Sequence, residues 1–208
     1  RSNLSVGNIT ARNSSLYLNF TALADGVYFV NVTVNDSAGH INYSLQTRTF
    51  IVDTTFPVPS YGQQSDGNNS FVKRSFVLVN VSVIDANFNF TNVTLNNASG
   101  NLNQTAVNRT AISQLVNFTG LLDGVYFVNV TVNDSAGNFN STLLHRTVTV
   151  DTVNPAATYG TGTEANNSFV SRGSVVVNVS MSDTNLNSTN VTLYNSSGTA
   201  VRSNVSYN

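Results

Sequence analysis

The sequence predicts an all-β protein: tandem antiparallel β-sandwiches, one complete module set between two partial ones. Three observations carry that prediction. The stretch Asp25-Gly-Val-Tyr-Phe-Val-Asn-Val-Thr-Val-Asn-Asp-Ser-Ala-Gly39 returns letter for letter from Asp123 to Gly137, an offset of about 98 residues, close to the length of one sandwich domain. Valine and aromatic residues alternate with Asn, Ser and Thr along most segments, the pattern of a strand with one dry face and one wet one. Turn signals such as Asp-Gly and Asn-Asp-Ser-Ala-Gly punctuate these runs, and no segment holds a helical period.

Residues 1–53 read as the C-terminal half of a module. Leu18 and Phe20 alternate with Asn19 and Thr21. Asp25-Gly26 then turns the chain into a strand whose Tyr28, Val30, Val32 and Val34 share the core face. Asn35 to Gly39 turns it back, and a last strand brings Phe50 and Val52 inward. Asp53-Thr-Thr-Phe-Pro57 marks a junction, because proline cannot donate to a ladder and stiffens the chain.

Residues 54–151 read as a complete module. Its inward sets are Val77, Val79, Val81 and Val83, then Val93 and Leu95, then Val116 and Phe118. The repeated stretch adds Tyr126, Val128, Val130 and Val132, and Val148 and Val150 close the last strand. Residues 152–208 read as the N-terminal half of a further module, with Val175, Val177, Val179 and Met181 followed by Val191 and Leu193. The chain is expected to be a window on a longer array or a subunit whose half-modules complete one another. Identical subunits or adjacent repeats, joined end to end, are the expected partners.

Of the 208 residues, 40% are hydrophobic, enough for small cores, but only 9% are charged, far below the roughly 25% of ordinary soluble domains. Asn, Ser and Thr must keep this surface wet. Nine Lys and Arg against ten Asp and Glu leave a net charge of -1, so no basic stripe exists to release phosphate counterions, and nucleic acid is excluded as a partner. Cysteine is absent, so no disulfide staples the modules. No apolar run approaches the ~20 residues of a membrane span. An enzyme is not expected either: His40 and His145 occupy unrelated repeat positions, and no Gly-x-Ser-x-Gly turn, phosphate loop or His-Glu-x-x-His helix occurs.

Leu121-Leu-Asp-Gly-Val-Tyr126 looks like the tyrosine corner of immunoglobulin-type sandwiches, in which an inward Tyr bonds back to the backbone through its hydroxyl. Val128 stands where an antibody domain places its second cysteine, and the absence of tryptophan sets antibody-type domains aside. The run Val130-Thr-Val-Asn-Asp-Ser-Ala-Gly-Asn138, with Val148-Thr-Val-Asp-Thr-Val-Asn-Pro155, is similar to the repeating Ig-like modules of bacterial and archaeal surface proteins, adhesins and extracellular filaments. The resemblance covers nearly the whole chain. It implies tandem Ig-like sandwiches joined through Asp-Thr-x-x-Pro, an extracellular, cell-surface location, and a structural role in a stalk or filament. It equally accommodates an adhesin that binds a surface glycan or protein through sandwich-end loops, and residues 99–114 do differ from 1–16.

Two kinds of candidate site follow. About two dozen Asn-x-Ser/Thr triplets occur, each a possible N-glycan acceptor or a plain outer-face polar pair. Asn31, Asn80, Asn92, Asn117, Asn129, Asn178 and Asn190 begin triplets on strand faces turned away from the expected core, and N-linked glycans are expected there. All ten acids fall at five recurring positions, Asp25/Asp123, Asp36/Asp134, Asp53/Asp151, Asp66/Glu164 and Asp85/Asp183. In an Ig-like topology Asp53, Asp85 and Asp134 meet at one junction, and Asp151 and Asp183 begin the next. Such oxygen-only clusters suit Ca²⁺, although Asp at these turn signals also caps turns.

Overall fold

A computed structural model describes residues 16–207, and every regular element among them is a β-strand. Residues 1–15 and Asn208, the expected outer edges of the first and last segments, lie outside the described residues. The first segment carries β1 (Gly26–Val30), β2 (Val34–Asn35), β3 (Ile41–Asn42) and β4 (Arg48–Val52). The central one carries β5 (Val58–Tyr61), β6 (Ser70–Val72), β7 (Phe76–Ile84), β8 (Phe88–Asn97) and β9 (Leu102–Asn108). It continues with β10 (Ser113–Thr119), β11 (Gly124–Asp134), β12 (Phe139–Asn140) and β13 (Arg146–Val150). The last carries β14 (Ala156–Tyr159), β15 (Val179–Ser182), β16 (Ser188–Tyr194) and β17 (Ala200–Tyr207).

In the central segment two sheets close over one core. One runs β10-β7-β5; the other runs β6-β13-β11-β8-β9, with β12 added to β11. All pairings are antiparallel except β6 with β13, where Val150 stands beside Val72. Period-two alternation sends Val77, Val79, Val81 and Val83 inward from β7 to meet Val93, Leu95, Val128, Val130, Val132, Val148 and Val150, every one of them buried. Each such side chain contributes about 1.5–3 kcal/mol relative to staying wet. The Tyr126 hydroxyl donates to the Leu122 carbonyl at 3.0 Å, and Tyr28 repeats the bond to Ala24 at 2.7 Å, as the corner reading expects.

The two copies of the repeated stretch fold differently. From Asp123 they form one unbroken strand, because β11 is paired along its length by β8 and at its start by β13. From Asp25 the strand stops at Val30 and resumes only at Val34, because no strand among the described residues is paired with residues 31–33. Identical letters make a strand only where a partner supplies the ladder. The expected core face of the first segment is accordingly open: Val32 is 47%, Val34 58% and Phe50 49% exposed, whereas Val130, Val132 and Val148 are at most 2% exposed.

The last segment shows the same deficit. Val175 and Val177, equivalent to the first valines of β7, lie outside any strand and are 52% and 44% exposed. Strand β7 is paired by β10 through Val77–Phe118 and Val79–Val116, and the last segment has no counterpart of β10 among its strands. Val191 and Leu193, buried at Val93 and Leu95 in the central module, are likewise partly open.

Candidate functional site: the joint between modules

The linker Asp53–Pro57 is fastened from both sides. On the side of β1, Asp25 accepts the Thr54 amide at 2.9 Å and hydroxyl at 2.8 Å with one oxygen, and the Thr55 hydroxyl at 2.7 Å with the other. The Thr55 hydroxyl, then the Thr54 hydroxyl and amide, hold the Asp25 carboxyl below its ordinary range. From the central module, Asn87 Nδ2 donates to Asp53 Oδ2 at 2.7 Å. Asn138 Nδ2 donates to the carbonyls of Asp53 and Thr55 at 3.1 and 3.2 Å, and Asn140 Nδ2 to that of Pro57 at 2.7 Å.

The next joint repeats the arrangement. Asp123 accepts the Thr152 amide at 3.0 Å and hydroxyl at 2.8 Å, and Asn185 Nδ2 donates to Asp151 Oδ2 at 2.8 Å. Sequence reasoning found the carboxylates and missed the asparagines that bridge them. The signal was present, since Asp85-Ala-Asn87 and Asp183-Thr-Asn185 recur at the repeat offset.

Carboxylate oxygens of Asp53, Asp85 and Asp134 lie within 4.8 Å of one another. Asp53 follows β4, Asp85 follows β7 and Asp134 ends β11, so the linker and two loops converge at one end of the sandwich. Asp134 is 1% exposed; it accepts the Asn138 amide at 2.8 Å and Asn138 Nδ2 at 2.7 Å. Burial works against its charge, but the Asn138 side chain and the backbone N–H groups of Asn138, Gly137 and Ala136 outweigh that and hold the carboxyl below its ordinary range. Its contribution to stability is therefore present above the ordinary carboxylate pKa and is lost as pH falls through the depressed one.

Asp85 shifts the other way. Burial raises it, the Asn87 amide partly offsets this, and the charges of Asp134 and Asp53 push it further up. Its ionisation therefore costs stability as pH rises through the raised value. Among the described residues the ion pairs involve Asp36, Asp66 and Glu164, none of these three carboxylates. Asn138 Nδ2 sits at a point ringed by Asp134 Oδ2 and the Asp53 and Thr55 carbonyls. The amide nitrogen of Asn138 thus fills the point those three oxygens share, and the hard oxygen donors a divalent cation would use are the Asp53, Asp85 and Asp134 carboxylates beside it. Asp151 and Asp183 repeat two of the three carboxylates, bridged by Asn185, whose backbone amide donates to Asp183 at 2.6 Å.

The seven candidate acceptors are not equivalent. Asn80 Nδ2 donates to the Gln63 carbonyl at 2.9 Å, and a Cβ at Gly62 would come within 2.7 Å of that nitrogen; Asn178 does the same over Gly160, donating to Thr161 at 3.0 Å. At these two positions the amide is engaged, and only glycine lets the side chain lie across the backbone. Asn129 is half-buried on a central strand, and half-buried Asn92 accepts the Thr105 hydroxyl at 2.8 Å. Asn117 is exposed on edge strand β10; Asn31 and Asn190 are exposed as well, and each accepts through its amide oxygen, from the Thr47 and Ser203 hydroxyls.

The remaining chemistry-bearing groups are engaged locally. His40 Nδ1 is 2.8 Å from Asp36 Oδ2, and His145 packs edge-on against Phe127 with ring centroids 6.0 Å apart. No helix among the described residues is long and apolar enough to cross a membrane.

No protein-family model matches the sequence, and no curated protein does. Among solved structures, the chain is similar to an engineered protein at 18% identity and a TM-score of 0.36, covering 46% of this chain and 20% of that one. It is also similar to the tetra-tandem repeat in the extending region of a large adhesion protein, at 19% identity and a TM-score of 0.40, covering 90% of this chain and 46% of that one.

Proposed function

We propose that the chain is a non-enzymatic structural protein of a prokaryotic cell surface, built from tandem Ig-like modules that form a stalk or filament. One observation carries the reading: the linker is clasped by Asp25 before it and by Asn87 after it, and Asp123 and Asn185 repeat both clasps at the next joint. Fixing each joint from both sides sets the direction and spacing of successive modules, which is the task of a spacer. Glycans at Asn117, Asn31 and Asn190 supply the hydration that a surface with 9% charged residues lacks. Protein purified from its native source is expected to carry sugar at Asn117 and none at Asn80, by glycopeptide mapping. Stripped of sugar, it is expected to stay blank on a glycan array; specific binding there would replace the spacer with an adhesin.

Calcium at the Asp53–Asp85–Asp134 cluster belongs to the same reading, as a stiffener of the joint. Saturating calcium is expected to raise the melting midpoint by about 4–8 °C for each kcal/mol of binding energy gained. Asp85→Asn removes the repulsive charge, so it raises the midpoint in chelator at neutral pH and cancels the calcium response. A midpoint indifferent to calcium would leave the joint to its asparagine amides alone.

A further inference from the structure

The strand pairings fix how the central module takes a load applied along a row of modules. Asp134 ends β11 beside Asp53, and Val150 pairs with Gly124 at the start of β11, so β13 runs from the Asp53 joint toward the Asp151 joint. Strand β5 starts at the first joint, with Val58 opposite Ile84, and β6 runs parallel to β13. A pull along the row reaches the module through Pro57 at one end and Asp151 at the other. It draws β5 and β6 toward the first joint and β13 toward the second, so the parallel neighbours must slide past each other before the core opens.

Bonds across a sliding pair share the load and fail together, whereas bonds pulled from the side open one after another. Two patches resist the slide. Around β6, the pairs Val148–Ser70, Thr149–Phe71 and Val150–Val72 are extended at both ends. The Asn69 amide donates to the Thr147 carbonyl at 2.7 Å, the Thr147 amide to Asn68 Oδ1 at 2.8 Å and the Asp151 amide to the Val72 carbonyl at 3.0 Å. Beyond β5, the Gly62 amide donates to the Asn80 carbonyl and the Asp66 amide to the Leu78 carbonyl, both at 2.9 Å, and the Asp66 carboxylate accepts the Leu78 amide at 2.8 Å. Arg146 joins the two patches. From β13 its guanidinium stacks 4.1 Å from the ring centroid of Tyr61, on β5 in the facing sheet, and donates to the Asp66 carbonyl at 2.5 Å. The Tyr61 hydroxyl donates to the Val128 carbonyl at 3.3 Å, and burial pushes that phenol up to about 12, against the pull of Arg146.

We propose that the central module is a tension-bearing unit: β5 and β6 are loaded lengthwise against β7 and β13, and Arg146 rivets the two sheets where they would slip. This rests on the spacer role proposed above and adds the load that such a stalk carries. The rivet sits on the strands nearest the joints, β5 just after Pro57 and β13 just before Asp151, which is where a pull arrives first. Contacts that served equilibrium stability alone would resist a pull equally from any direction. A shear clamp resists most along the strands.

Single-molecule force measurement on the full chain, which holds no cysteine, tests this through paired cysteine handles. Phe56→Cys/Val153→Cys pulls lengthwise, and Phe71→Cys/Leu102→Cys pulls crosswise between the two edge strands of the larger sheet; all four side chains are at least 57% exposed. Both axes load the pairs between β6 and β13, lengthwise all at once and crosswise one at a time. The lengthwise unfolding force is expected to exceed the crosswise one by about twofold or more at one pulling speed. Arg146→Ala is expected to lower the lengthwise force and narrow the gap, and the crosswise force in the same variant reports any general loss of stability. A lengthwise force no higher than the crosswise one, or a gap that Arg146→Ala leaves unchanged, would overturn the clamp. The spacer reading would survive either result, since its clasps hold the joints without tension, whereas glycan binding would remove the spacer reading and leave the directional difference intact.

Discussion

Leu95→Ala is expected to destabilise the central module by about 2–5 kcal/mol, the cost of a cavity in a packed interior. In a domain of this size that lowers the melting midpoint by more than about 10 °C. The side chain is 0% exposed in the face where β8 meets β11, with Val128 as its cross-strand partner. The same substitution one repeat later, Leu193→Ala, is expected to shift stability in dilute protein by within about 0.5 kcal/mol, because a side chain 48% exposed leaves no cavity behind. Guanidinium unfolding followed by tyrosine fluorescence reads both, as tryptophan is absent. Equal losses at the two positions would mean that the last segment buries its valine face within one chain.

That pairing of equal letters with unequal burial shows how far local sequence reaches. The strand-borne inward set of the central module was legible from Val77 to Val150, because a period of two assigns each strand residue to a face, whereas Leu121 in a turn and Val72 on short β6 join the core without such a signal. The convergence of Asp53, Asp85 and Asp134 was legible from strand order through the resemblance, since it depends only on which loops share an end. The bridges by Asn87 and Asn185 were not, because in a chain so rich in asparagine nothing local separates a structural amide from an outer-face one. The lock of Asn80 over Gly62 was hidden for a related reason: the glycine is distant in sequence and meets it only across paired strands β5 and β7. The break of the first repeated strand at Asn31 was invisible as well, since it reflects missing neighbours rather than the residues themselves.

The central claim is that these valine faces are dry only when a partner sheet covers them. Hydrogen exchange on the full chain at low concentration tests it most directly, because Asp25–Gly39 and Asp123–Gly137 have the same sequence and hence the same local chemistry. Their peptides are told apart by Ala24 and His40 on one side, Leu122 and Asn138 on the other. Those amides of residues 129–131 that bond across to β8 are expected to exchange slower than their counterparts in 31–33 by a factor on the order of 10³ or more. Equal protection of the two stretches in dilute monomer would contradict the account.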